Sequence, residues 1–444
     1  MLGWEFPPVV NGGLGVACRN LSEALGAFTP LTMIVPRADA RYRPENLQLL
    51  GLNEVSLRRI RRKILKDEIQ VAKKVRLEYV DVDIRAYDTV ERVAYREEAR
   101  PEVFIVEREV EEEESIGQTV PVPRRFQVSD LYGDDLIKRV VQYAEITARL
   151  ATTLEFDVVH AHDWMTFLSG LMIKAHTGKP LVLHIHSLEY DRSGPESQGW
   201  VYELEKHAVQ QADTVIAVSE YTRGILVSHY QAPAHRVKVI HNSVEKMEVK
   251  RQKPPFSEKL VVFLGRLTGQ KGPASFVEAA RQLLRRRKDI RFVMAGDGDL
   301  RKGLTEQVAR FRMGDRFHFA GFLSPEQARS LLAMADVFVM PSVSEPFGLS
   351  ALEAARAGVP CVLSSRSGAS EILHHALQID PNSPEALSRQ VEWLIDHPME
   401  AREIVQQTLT DLGTVSWDQA AQEVLKVYRS VMELPVVASD VSAV

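Results

Sequence analysis

Short apolar runs alternate with helical stretches along two parts of the chain. The first part carries Leu31–Val35, Asp157–Ala161, Leu181–His186, Asp213–Ser219 and Val237–Ile240. The second carries Leu260–Gly265, Arg291–Gly296, Asp336–Ser342 and Val359–Ser364. Runs such as VVFLG and VFVMP are apolar on both faces, which is how strands of a parallel sheet read when helices cover both sides. Between them lie predicted helices at Asp135–Thr153, Pro195–Gln211, Pro273–Arg286, Pro325–Met334 and Leu349–Ala357. Ser324-Pro325-Glu326 supplies an N-cap, a proline at the first helical position and an acid in the first turn. This β-α repetition predicts an α/β fold of two doubly wound, Rossmann-like parallel-sheet domains.

The expected boundaries follow from polarity. Lys246–Lys259 is polar, holds Pro254-Pro255 and reads as a linker, so the domains are expected at 1–245 and 246–413. Trp417–Leu434 patterns as one amphipathic helix within 414–434, and 435–444 reads as a tail. The stretch from about Arg41 to Asp130 has no clear period. It holds a basic run at Arg58–Lys63 and an acidic run at Glu111–Glu114, and is expected to be a solvated insertion.

The length of 444 residues suits two or three domains, and 45 % apolar with 26 % charged residues is an ordinary globular balance. A net charge of −5 lacks the dominant basic field of a nucleic-acid-coating protein. Cys18 and Cys361 are far apart and form no CxxC pair, which disfavours a disulfide framework and fits a cytoplasmic location. No apolar run approaches a membrane span, and MLGWEFPP has no basic signal-peptide start. A glycine loop normally follows a full first strand, yet only Met1–Trp4 precedes this one. Either that strand is stunted or the natural chain begins earlier.

Four constellations carry chemistry. Asn11-Gly12-Gly13-Leu14-Gly15 opens an amphipathic helix, whose free N–H groups and positive dipole end suit a phosphate. His160 and His162, followed by Asp163 and Trp164, end a strand, and His184 and His186 repeat the spacing on the next. Residues i and i+2 share a face of a strand. Gly265-Arg266-Leu267-Thr268-Gly269-Gln270-Lys271-Gly272 offers a guanidinium and an ammonium to a diphosphate at a strand end. Glu345-Pro346-Phe347-Gly348-Leu349 leads into a helix holding Glu353, which combines free N–H groups with two hydroxyl-accepting carboxylates. Asp81/Asp83 and Asp297/Asp299 read as DxD, but two carboxylates do not fill a metal's shell, so both are taken as structural.

Together, HAHDW, GRLTxQKG, EPFGLSALEA and the GGLG near the start resemble the retaining GT-B glycosyltransferases, most of all glycogen (starch) synthase. The resemblance implies an acceptor-side N-terminal domain, a nucleotide-sugar-binding C-terminal domain, a cleft between them and a last helix crossing back. It implies hexose transfer from ADP- or UDP-glucose to an α-1,4-glucan, with no metal and no cofactor. A mannosyl- or sucrose-type transferase is the alternative. The implied catalytic residues are His162, Arg266, Lys271 and Glu345. Gly12, Gly13, Asn242, Phe347, Gly348, Leu349 and Glu353 complete the implied donor site, and His186, Asp163 and Trp164 the acceptor side. Val10 stands where many bacterial glycogen synthases carry lysine, Glu353 where they often carry tyrosine, and Ser243 where glycine usually follows Asn242. These differences bear on the base and acceptor preference. A remote competing reading is a zinc hydrolase built on His160, His162, Asp163, His184 and His186, since catalytic zinc uses three protein ligands.

Overall fold

The computed structural model describes residues 1–8, 12–39, 41–42, 44–54, 131–132, 135–245 and 249–433. Val10, Asn11, Arg58–Lys63, Asp81/Asp83, Glu111–Glu114 and the tail from 434 lie outside the described residues.

In the N-terminal lobe, Thr32–Val35 (β1) and Gln48–Gly51 (β2) pair in parallel. Val159–His162 (β3), Leu181–Ile185 (β4), Thr214–Ala217 (β5) and Val237–Val239 (β6) form a second parallel run in that order. Leu2 joins the two runs, pairing in parallel with both Ile34 and Ala161. Its N–H donates to His160 O at 2.8 Å, and Gly3 N–H donates to Ile34 O at 3.0 Å. The Leu2 segment is therefore central to this run of strands. Strand order is β2, β1, the Leu2 segment, β3, β4, β5, β6. The helices are Gly13–Gly26 (α1), Leu136–Ala151 (α2), Trp164–Thr177 (α3), Glu189–Ser193 (α4), Trp200–Gln211 (α5) and Glu220–Ser228 (α6).

In β4 every residue is buried. Leu181, Leu183 and Ile185 belong to the large core of the lobe, whereas Val182 faces Leu21 and Leu25 of α1. Two-faced burial explains the continuous apolar run. The helix predicted from Pro195 begins at Trp200, after Gly199 takes a positive φ of 118°.

The C-terminal lobe holds Lys259–Leu264 (β7), Ile290–Ala295 (β8), Phe317–Gly321 (β9), Val337–Met340 (β10), Cys361–Ser364 (β11) and Leu377–Ile379 (β12). They form one parallel sheet in the order β12-β11-β10-β7-β8-β9. Its helices are Pro273–Leu284 (α7), Arg301–Arg310 (α8), Pro325–Met334 (α9), Leu349–Arg356 (α10), Pro384–Asp396 (α11) and Pro398–Leu412 (α12). Ser324 caps α9 as its sequence predicts, with the full capping box to Gln327.

Last comes Trp417–Glu433 (α13). It buries Ala420, Ala421, Val424, Val427, Tyr428 and Val431, at helical spacing, against Leu21 and Leu25 of α1 and Val182 and Ile216 of the N-terminal sheet. The chain thus ends by crossing back. Both lobes are doubly wound, as expected.

Each strand order reverses once, and open α/β sheets bind ligands at that reversal, beyond the carboxyl ends of the strands. In the N-terminal lobe the reversal lies between the Leu2 segment and β3, which lead into the glycine loop and into His162. In the C-terminal lobe it lies between β7 and β10, which lead into Arg266–Lys271 and into Glu345.

Candidate functional site

At the C-terminal reversal, Lys271 sits in a turn between β7 and α7. Its Nζ donates to Glu345 Oε1 at 2.9 Å and Oε2 at 2.7 Å. Ser342 Oγ donates to Glu345 Oε2 at 3.0 Å, and the Glu345 side chain is only 6 % exposed. The turn can form because Gly272 has φ +65°, and an added Cβ would lie 2.1 Å from Pro341 O. Arg266 is exposed at the end of β7. Glu345 is fixed through its backbone as well: its N–H donates to Arg366 O at 2.9 Å, and its O accepts from Gly368 N–H at 3.0 Å.

Phe347 is buried, Gly348 has φ +97°, and Leu349 opens α10. A Cβ placed on Gly13, the first residue of α1, would sit 3.6 Å from Leu349 Cδ1. The N-terminal ends of α1 and α10 therefore meet across the cleft; neither N-cap residue supplies a side-chain cap, and in α1 Gly15 N–H donates to Glu5 Oε2 at 3.2 Å. Two such ends present free N–H groups and partial positive charge to the same space. Glu353 lies one turn into α10, and burial pushes its carboxyl up to about 7. Asn242 is buried in the segment after β6.

On the N-terminal side, His160, His162, His184 and His186 stack as one array. Ring centroids are 4.4 Å apart for 160–162 and 184–186, and 5.0 Å for 162–184. Strand register places His162 directly opposite His184. His160 Nδ1 is 2.6 Å from Tyr428 OH of α13, and His162 Nδ1 is 2.9 Å from His186 Nε2. Burial holds all four imidazoles neutral, with His186 lowered to about 3.

Two acceptor-side candidates also make structural contacts. The Asp163 carboxylate accepts from His186 N–H at 2.6 Å and Ser187 N–H at 3.3 Å, tying the end of β3 to the loop after β4. Burial pushes that carboxyl up to about 7. Trp164 is buried and packs edge-on against Trp200, with centroids 6.0 Å apart, so it belongs to the core. Asp297 accepts from Gly298 N–H and Arg301 Nη1, each at 2.9 Å, so it shapes its own turn as expected.

Residues that motif spacing does not reveal lock the lobes together. Ser344, next to Glu345, donates to buried Asp191 of α4 and lies 2.9 Å from Tyr221 OH. Ser219 Oγ donates to Pro346 O at 2.6 Å. Glu371 accepts from Glu220 and Tyr221 N–H groups at the start of α6 and from His241 Nε2, all at 2.8 Å. The only signal for Asp191 is an acid-rich EYD closely following the second histidine pair.

The comparisons decide the family. Residues 91–246 match the family model Glycosyltransferase Family 4, and residues 246–409 match Glycosyl transferases group 1. An uncharacterized glycosyltransferase of Methanocaldococcus jannaschii is 32 % identical over 63 % of this chain and 77 % of its own. The chain belongs to the glycosyltransferases. An alpha-maltose-1-phosphate synthase of Mycolicibacterium smegmatis is 32 % identical over 62 % of this chain and 79 % of its own. A glycogen synthase of Mycobacterium tuberculosis is 24 % identical over 96 % of this chain and 93 % of its own. The two-lobed fold and the crossing helix are those of the GT-B glycosyltransferases. Membership in the glycosyltransferases overturns the zinc-hydrolase reading. Among the described residues, no helix is long and apolar enough to cross a membrane.

Proposed function

We propose that this glycosyltransferase moves a hexose from a nucleotide-sugar to a small saccharide or sugar-phosphate acceptor, retaining the anomeric configuration. The carrying observation is the buried Lys271–Glu345 pair beside the joined N-terminal ends of α1 and α10. A nucleoside diphosphate leaving group develops negative charge, and preorganised donors stabilise it without reorganising. Arg266 and Lys271 supply the charge, while backbone N–H groups at Gly12, Gly13, Gly348 and Leu349 supply dipoles. Glu345 turns its carboxylate to the sugar hydroxyls as Lys271 takes up phosphate. Glu353 accepts from the ribose hydroxyls. Asn242 and Phe347 shape the junction, His162 lies against the donor sugar, and His186 faces the acceptor.

For the acceptor, the maltose-1-phosphate synthase has the higher identity of the two named synthases, 32 % over 62 % of the chain against 24 % over 96 %. Val10 and Glu353 also depart from the glycogen-synthase pattern. Elongation of an α-1,4-glucan is the second reading, favoured by the glycogen synthase's match over 96 % of the chain. The test is a panel of ADP-glucose, UDP-glucose and GDP-mannose against glucose 1-phosphate, fructose 6-phosphate, maltooligosaccharides and glycogen, with linkage analysis. Transfer to a sugar phosphate supports the first reading. Transfer to glycogen and maltooligosaccharides alone supports the second. Transfer to none with donor hydrolysis contradicts both.

A further inference from the structure

Cys18 lies in α1 and is fully buried, directly behind the glycine loop. One donor atom each from Cys18, His162 and His186 falls within 4.8 Å of the others. Thiolate and imidazole together favour zinc-class or softer cations over magnesium or calcium. Three protein ligands with an open fourth position are enough for zinc.

Three further observations point to a cation here. First, His162 Nδ1 and His186 Nε2 lie 2.9 Å apart, so the two imidazoles bring nitrogens together within reach of the Cys18 sulfur. Second, two carboxylates flank the triad: Asp163 accepts from His186 N–H at 2.6 Å, and Glu5 accepts from Gly15 N–H, one turn before Cys18, at 3.2 Å. Third, His186 is half-exposed while Cys18 and His162 are buried, so the triad has an opening on the His186 side. The neighbouring triad of His160, His162 and His184 is wholly buried and offers no thiolate.

We infer that Cys18, His162 and His186 form a binding site for a zinc-class cation, and that its occupation shuts off sugar transfer. The second half rests on the proposed role of His162. On binding, the Cys18 thiol releases its proton to solvent and the sulfur bonds the metal. His162 then spends a ring nitrogen on the metal and no longer lies free against the donor sugar. The cation is an inhibitor and takes no part in the chemistry, so the expected metal independence of transfer is unaffected.

The full chain, stripped with a chelator, is titrated calorimetrically with zinc chloride alone. One site with a Kd of about 1 µM or below is expected. Cys18→Ser, and separately His186→Gln, weaken it at least about tenfold. Cobalt(II) in place of zinc gives a thiolate charge-transfer band in the parent, absent from Cys18→Ser. Having two variants guards against one failing to fold. Absence of stoichiometric binding, or binding unchanged in both variants, overturns the site. Transfer assays on the same samples separate the two halves. Zinc is expected to abolish transfer in the parent, while Cys18→Ser keeps its zinc-free rate and needs at least about tenfold more zinc. Zinc that binds without lowering the rate overturns the inhibition alone. If the metal-free parent transfers no sugar, the transferase reading fails and the calorimetry still decides the site.

Discussion

Lys271 and Glu345 show how two motifs far apart in sequence become one device. Burying Glu345 is tolerable because an ammonium and a hydroxyl compensate it. Lys271→Ala and Arg266→Ala are each expected to lose about 3–4 kcal/mol of transition-state stabilisation, a drop on the order of 10²–10³ in kcat. Steady-state kinetics with circular dichroism checks this, and near-parent activity in either variant removes that residue from the leaving-group site. Glu353 gives a pH signature. Its carboxyl is raised to about 7 by burial, so it becomes neutral as pH falls through that value and accepts ribose hydroxyls less well. The donor KM is expected to rise below pH 7, and Glu353→Gln to flatten the profile. These residues were legible in sequence because glycines, charges and strand ends coincide there. What the motif did not reveal was how Asp163 and Trp164 are held. Both follow the second histidine in the motif, but the φ of +59° at Asp163 turns its carboxylate onto backbone amides and starts the next helix inward.

The central strands and the capped helix α9 were readable, the strands because two-faced burial leaves an unbroken apolar run. The edges were not. β2, β9 and β12 are short, lie at sheet edges and alternate buried with exposed residues, so their patterns resemble loops. Helix α13 was legible from its amphipathic stripe, while its contact with the histidine array was invisible until the fold placed Tyr428 beside His160. Tyr428→Phe leaves a buried imidazole nitrogen unpaired and is expected to cost about 1–3 kcal/mol of stability. Chemical denaturation reads this out. An unchanged midpoint and slope would show that the hydroxyl does not anchor the helix.

Across the molecule, the two strand reversals face one cleft and the lobes touch through small groups. A Cβ on Gly368 would lie 2.3 Å from Pro346 O and 2.6 Å from Ser219 Cβ, so Gly368→Val is expected to part the lobes beside Glu345. A misplacement of about 1 Å costs on the order of 10²-fold in rate. An unaffected kcat in Gly368→Val would show that this approach is dispensable. Stability should carry the mark of buried acids. Burial raises Glu205 to about 8 and Asp163 to about 7, against about 4 for unfolded carboxylates. From there to pH 8 the folded chain holds protons the unfolded chain lacks, so these groups lower stability as pH rises. The buried histidines act in the opposite sense, but only below about pH 6.5. Tm is therefore expected to fall between pH 6.5 and 8.5, less steeply in Glu205→Gln, and a rising Tm would contradict this. The most direct test of retaining hexose transfer at this cleft is the anomeric configuration of the product, read by NMR from an α-linked nucleotide-sugar and its best acceptor. An α-linked product, lost in Lys271→Ala, is the expected result; a β-linked product, or an α-linked one formed equally well by that variant, would contradict it.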